Sequence, residues 1–401
     1  MTPADDPLRG LNPANRNGIY ADLHARMPVY WSTVHAAWIV TRYDDVNALL
    51  RHQDALPLQA ARFVEAVSVR GNLDLSSLLN FCRALSLMTR PPRHDAIRRV
   101  LAQALAGIRH LDLPTLLDRQ ADRLLAAARQ QGVIDLAEGY GRALAVFVIG
   151  SFLGIPEADL PTLSSEAAAL MAIFERTLPS VGMMRQLNRG AGVLTDYFRR
   201  LIAATRRRGA ETGLALISEL AHRHLDCDDD ELAGYCVFFF IAAGETTAAA
   251  IAGAALIVLQ SPPIRAHLVA VPERLPHAAR ELLRLVSPVQ YIARRWEADI
   301  HLASHRIAAG EPAMLMLGAA NRDPAAYPDP DRFDLDRAGP EPLAFAAGPY
   351  RCIGAALASF EVELAVRKLL RWPALRLSSE PPEWTDRMNI APLRRLPAQF
   401  G

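Results

Sequence analysis

The residue types best suited to chemistry gather around Cys352, in the run F-A-A-G-P-Y-R-C-I-G over 345–354. Glycine and proline precede the thiol. An amphipathic pattern follows it, with Leu357, Phe360, Leu364 and Leu369 at helical spacing. The thiol therefore sits where a turn becomes a helix N-terminus. Free backbone N–H groups and the positive end of the helix dipole favour a thiolate there. Gly348 and Gly354 lack a Cβ, so the backbone can approach a flat partner closely. Taken alone, the run also fits a buried structural cysteine at a helix start.

Three further stretches carry polar groups in telling positions. Asp228, Asp229, Asp230 and Glu231 open a predicted helix that ends before Ser261-Pro262-Pro263. At ~1.5 Å per residue it spans roughly 45–50 Å, enough to cross a domain. Its centre is apolar all round, which means burial. Glu245, Thr246 and Thr247 lie inside it, and such groups are costly there unless hydrogen-bonded or used. A threonine bonding back to the carbonyl four residues earlier would bend the helix and open a groove for dioxygen and water. In the second stretch, Pro91 and Pro92 start a helix on which His94 and Arg98 share a face. That face suits a pair of carboxylates; taken alone, such a basic face at a helix start is more often solvated surface. In the third, Glu281 and Arg284 are three apart on a helix and can pair.

The Cys352 run resembles the haem-binding signature of the cytochrome P450 family, F-G-x-G-x-(H/R)-x-C-x-G, at Phe345, Gly348, Cys352 and Gly354. A thiolate beneath a flat ring is what axial ligation of haem iron requires. Two positions depart. Ala346 stands where the pattern has glycine. Tyr350 stands where it has a histidine or arginine for a haem propionate, and offers a hydroxyl without charge. The resemblance implies haem b as cofactor, ligated by Cys352. It implies that His94 and Arg98, in P-P-x-H-x-x-x-R, grip the propionates. Arg294, five before Asp299, would do the same, with Arg295 as the alternative. Ala242, Ala243, Glu245 and Thr246 resemble the oxygen-activation motif (A/G)-(A/G)-x-(D/E)-T. Thr246 would hydrogen-bond oxygen and Glu245 would feed protons. Ala243, where glycine is common, narrows the groove. Glu281 and Arg284 resemble the buried E-x-x-R pair, whose third partner would be Arg332 of Asp329-Pro330-Asp331-Arg332-Phe333. Together they would hold the cysteine loop. Substrate-contact candidates are Leu78, Phe81, Ala242, Val289, Gln290, Ile292 and Ile390. Met171, Phe174, Met183 and Met184 fit either a pocket wall or plain core.

These residues need elements to position them. A short helix is predicted over 19–27, strands over 29–31 and 38–40, and a helix over 43–52. The stretch 55–90 has no clean period and reads as a lid or binding loop. Successive helices fill 111–205, with breaks at Gly132, at 154–156 and at Leu178-Pro179. A strand leaves the Glu281 helix over 288–292. Strands over 300–302 and 313–317 are joined near Ala309-Gly310, and the end, 389–393, returns a turn to the pocket. The resemblance covers almost the whole chain. It implies a mostly α fold with a small β-rich lobe, a triangular single domain over 1–401.

Composition agrees. Hydrophobic residues make up 51% of the chain, enough for a sizeable core. A formal net charge of +1 with both signs interspersed gives no nucleic-acid surface. Lys368 is the only lysine. Cys82, Cys227, Cys236 and Cys352 form no C-x-x-C pair, which suits a reducing cytoplasm. Residues 1–17 are polar, with neither a signal-peptide core nor a membrane anchor. The resemblance then implies a cytoplasmic haem-thiolate monooxygenase. It would insert one oxygen atom of O2 into a small or medium apolar compound of secondary metabolism. The chain has no flavin or iron–sulfur motif, so a ferredoxin and its reductase would supply electrons. A carrier protein is a further candidate partner. Oxidative coupling, desaturation, epoxidation or peroxide use stay open, as does a non-enzymatic haem sensor.

Overall fold

The longest helix meets the expectation set for it. In the computed structural model it runs from Asp229 to Gln260, with Asp229, Asp230 and Glu231 in its first turn. Ser261 ends it, and Pro262 opens the next helix, Pro262–Ala270. Apolarity on every side demands burial. From Leu232 to Ala255 only Ala242, Ala243 and Thr246 are less than fully buried. Length and composition alone would let this helix cross a membrane, yet 72% of its most apolar window lies inside the protein. It stays α-helical through 244–247, so the polar residues are accommodated without a break.

The structure describes residues 5–58, 60–85, 89–107, 113–175, 180–208, 227–302, 304–390 and 393–401. They are mostly helical, with small sheets. The break expected at Leu178-Pro179 lies outside them. The chain forms two compact units. One comprises Met1–Leu56, Leu117–Leu144 and Thr246–Gly401; the other comprises Pro57–Leu116 and Ala145–Glu245.

The second unit is helical where the sequence pattern pointed to a loop. Helices Ala60–Gly71 and Ser76–Ala84 occupy much of 55–90. Leu78, Phe81, Cys82 and Leu85 are buried at spacings of three, four and seven, a helical period hidden by the helix being only nine residues long. Ser76–Ala84 packs on Val181–Arg208, where Asn188 accepts a bond from the Leu78 amide at 2.9 Å.

The first unit carries the main sheet. Strand Val29–Ser32 runs antiparallel to Ala37–Val40, which runs parallel to Ala313–Leu315, which runs antiparallel to Ile292–Arg295. Side chains alternate across the sheet. The register sets Trp38, Val40, Ala313, Leu315, Ile292 and Arg294 on one face. That face meets a core containing Leu49, Leu50, Trp296, Leu343 and Ala347, with Ala346 packed against it. The opposite face, with Ile39 and Met314, meets Leu8, Tyr20 and Leu23. Two expectations change here. The strand predicted over 288–292 begins only at Ile292, because Ser287 takes a left-handed turn after the helix. Strand Ile300–Leu302 pairs with His305–Ile307 rather than with 313–317, the chain folding back before it reaches Ala309.

The helix that follows Cys352, Ala355–Leu370, is anchored near its far end. Tyr140 donates to the Ala365 carbonyl at 2.9 Å. The fully buried Lys368 reaches Asp118 at 2.5 Å and Asp122 at 2.8 Å. A buried ammonium is tolerated only when paired in this way.

Candidate active site

Backbone geometry builds the cysteine loop. A turn at Leu343–Phe345 leads to Ala346, at φ +56 and ψ −167. That region is occupied almost only by glycine, so the departure from the family pattern stores strain. Gly348 has φ +71, and a Cβ there would collide with the Leu50 carbonyl oxygen. The loop closes on itself. The Cys352 amide donates to the Phe345 carbonyl at 3.0 Å, and the Arg351 amide to Gly348 at 3.1 Å. Gly354 then precedes the helix, whose first carbonyl-paired amide is Ala358, bonded to Gly354 at 2.9 Å. The amides of the first turn are left without helical partners. Cys352 is exposed, unlike Cys82 and Cys236, which are buried. Burial pushes the Cys82 thiol up to about 12. Partial burial, with Glu231 and Asp228 nearby, pushes Cys227 up to about 11. Those thiols stay protonated and inert.

Behind the loop, Glu281 and Arg284 are buried and joined twice. Arg284 Nε donates to Glu281 Oε2 and Nη2 to Oε1, both at 2.8 Å. The third partner is Arg337, not Arg332. Arg337 Nε donates to Glu281 Oε1 at 2.7 Å, whereas the Arg332 side chain is 67% exposed and pairs with Asp334. The cause is the path of the backbone. The Asp334 amide itself donates to Glu281 at 3.1 Å, so the chain turns at the carboxylate. The next arginine folds inward, and its remaining N–H groups reach the carbonyls of Pro328, Asp329 and Arg332. Arg284 also donates to the Asn321 carbonyl at 2.7 Å, and Asn321 Oδ1 accepts from the Leu343 amide at 2.7 Å. That route ties the ion pair to the start of the cysteine loop.

Arg294 lies on the sheet face that meets this loop. Its guanidinium carbon is 5.0 Å from the centre of the Tyr350 ring, a cation–π contact two residues from Cys352. Nη1 donates to the Ala293 carbonyl at 2.9 Å. Arg294 is 8% exposed, and burial lowers its pKa to about 10, so it is a cation at neutral pH. Among the described residues no carboxylate pairs with it. A buried, unanswered cation against the loop that carries an exposed thiol fits an anionic ligand, and the haem propionates are such anions. Arg295 alternates to the other face of the strand, away from the loop.

Val289, just before this strand, and Ile292, its first residue, are half-buried. The turn at Asn389-Ile390 returns to them, as expected: Asn389 accepts from the Gln290 amide at 2.8 Å. Ile390 is buried; the neighbouring Ala391 and Pro392 lie outside the described residues. Gln290 cannot serve a substrate. Its carbonyl oxygen accepts from Tyr20 at 2.9 Å, and its amide donates to Ser287 at 2.5 Å.

In the other unit, helix Arg93–Gly107 carries His94 and Arg98 one turn apart. His94 is buried, with Nδ1 2.9 Å from Asp95. Arg98 is half-buried and, among the described residues, has no hydrogen bond or ion pair. Arg93 pairs with Glu231, which also accepts from Tyr235 at 2.6 Å, fixing this helix to the start of the long one. Leu78 and Phe81 are fully buried, Met171 and Met184 likewise, and Met183 is exposed. On the long helix Glu245 is buried, while Ala242, Ala243 and Thr246 form the less-covered strip between Leu232 and Ala255. Ala242 and Thr246 are four apart and share a face.

Arg337 was not identified from sequence. It lies five residues beyond Arg332, and only the turn at Asp334 brings it in.

A family model described as Cytochrome P450 matches residues 275–393. A putative cytochrome P450 140 of Mycobacterium tuberculosis is 32% identical over 296 residues, covering 72% of this chain and 67% of that protein. The mycinamicin IV hydroxylase/epoxidase of Micromonospora griseorubida is 29% identical over 405 residues, covering 98% of this chain and 97% of that one. Among solved structures, P450BioI in complex with hexadec-9Z-enoic acid ligated acyl carrier protein is similar at a TM-score of 0.87 and 28% identity, covering 97% and 99% of the two chains.

Proposed function

The chain belongs to the cytochrome P450 family of oxidoreductases, and on that premise we propose that residues 1–401 form one haem-thiolate monooxygenase that inserts one oxygen atom of O2 into a small or medium apolar compound. One observation carries the reading: Tyr350, two residues before the exposed Cys352, lies against the buried cation Arg294, which among the described residues has no carboxylate partner. Haem b, when bound, supplies the redox chemistry of dioxygen activation.

The chain's own groups do the rest. Cys352 would hold the metal as thiolate, favoured by the unpartnered amides of the first helical turn. In the first unit Arg294 would answer a propionate; in the second, His94 and Arg98 are candidates for the same role. The Thr246 hydroxyl can donate and accept at once, so it can orient an oxygen or a water at the strip left by Ala242 and Ala243. Glu245, one residue earlier, would take up and release the proton that Thr246 passes on. Val289, Ile292 and Ile390 in the first unit, and separately Leu78, Phe81 and Ala242 in the second, are the candidates for contact with apolar substrate carbon. Electrons would come from a separate ferredoxin and its reductase, in the cytoplasm. The similar hydroxylase/epoxidase supports oxygen insertion as the outcome. The similar fold crystallised with an acyl carrier protein supports a second reading, in which the substrate arrives tethered to a carrier.

The test is the absorption spectrum of the dithionite-reduced, CO-bound protein. A Soret band near ~450 nm is expected, and its loss in Cys352→Ser. A band near ~420 nm in folded wild type would remove Cys352 as ligand and the monooxygenase with it. With redox partners and an identified substrate, Thr246→Ala should lower product formed per O2 consumed. Unchanged function in that variant would favour a haem sensor.

A further inference from the structure

Trp296 is 1% exposed, and among the described residues its indole Nε1–H has no acceptor. A buried donor left without a partner is costly, so an orphan of this kind asks for an explanation. Its place in the chain supplies one. Trp296 follows Arg294 by two residues, one place past the strand Ile292–Arg295, and continues its alternation, for both are buried while Arg295 between them is half-buried. On that side Arg294 lies over Tyr350, and Trp296 packs in the core that contains Ala347. Tyr350 and Ala347 both belong to the cysteine loop. Two successive inward positions therefore present a cation without an anion and an N–H without an acceptor, roughly 6.6 Å apart along the strand. One carboxylate-bearing ligand beside the loop would answer both.

We propose that Trp296 Nε1–H is a hydrogen-bond donor to a haem propionate, acting beside Arg294. The inference rests on the haem-binding reading given above and adds a residue to it. It also gives the departure at Tyr350 a physical sense. Where the family pattern has a cationic donor two before the cysteine, this chain has an aromatic platform under Arg294. The donor lost there is replaced from the strand by an indole.

The experiment measures haem loss to excess apomyoglobin. It compares wild type, Trp296→Phe, and a variant with benzothienylalanine at 296, which keeps the bicyclic ring and lacks the N–H. Each is loaded with haem and, separately, with haem dimethyl ester. Removing the N–H should speed loss of haem about tenfold, as for one hydrogen bond to a charged group. With the diester the three proteins should differ little, because the propionate charge is gone. Equal haem loss from wild type and the benzothienylalanine variant overturns the inference, whatever Trp296→Phe does, since packing alone would then explain the residue. An acceleration that persists with the diester also overturns it. A folded wild type that takes up no haem overturns the proposed function and this inference together.

Discussion

Glu281 and Glu361 lie on helices that pack against each other, Leu275–Val286 and Ala355–Leu370. They are 4% and 2% exposed. At equal depth their surroundings differ. Glu281 accepts from Arg284 twice, from Arg337 and from the Asp334 amide. Glu361 Oε2 has no partner among the described residues, and burial holds its carboxyl well above the usual value of 4.5. Depth alone therefore does not decide what a buried carboxyl does. The donors around it decide. One glutamate is a charged hub that ties three segments together; the other is a neutral group in the core.

The comparison breaks most visibly at Arg284. Arg284→Met leaves Glu281 buried with half its guanidinium donors, and should cost about 3–5 kcal/mol in urea unfolding. A loss below about 1 kcal/mol would mean that the hub is ornamental. Arg337→Ala should cost about 1.5–3 kcal/mol, while Arg332→Ala should stay within about 0.5 kcal/mol. The reverse order would restore Arg332 as the third partner.

Glu361→Gln sharpens the other side through pH. The native state holds the Glu361 proton more tightly than the unfolded chain does. Unfolding then releases a proton in the range above about 4.5, so the stability this group contributes falls as pH rises through that range. Wild type should lose stability relative to Glu361→Gln from pH 6 to pH 9. Parallel denaturation midpoints across that range would show that Glu361 is ionised in the fold. The smallest expected effect is Ala346→Gly, in the loop the hub supports. Relief of its positive φ should raise stability by about 1 kcal/mol, read as a higher urea midpoint. No gain would mean that the loop relaxes around alanine at no cost.

Much of the candidate site was legible because its signals are local. Cys352 between a glycine turn and a helical pattern, Glu245 and Thr246 inside an apolar helix, and Glu281 three before Arg284 are each readable from a dozen residues. The errors came where the deciding contact is distant. Arg332 and Arg337 share one segment, and only the turn at Asp334 sorts inward from outward. Gln290 looked available beside Val289, but Tyr20, 270 residues away, occupies its oxygen. The helix Ser76–Ala84 is too short for its period to stand out from an irregular stretch.

The sequence by itself determined which groups are present and which neighbours along one helix or strand share a face, because backbone periodicity is set locally by sterics and hydrogen bonding. It also determined that the helix Asp229–Gln260 must be buried, since no side of it tolerates water. Only the tertiary structure decided which arginine completes the Glu281 hub, which glutamate has no answer to its charge, and that Arg294 and Trp296 are buried with donors to spare. Those outcomes depend on desolvation and on partners from remote segments, and neither exists until the chain has closed on itself.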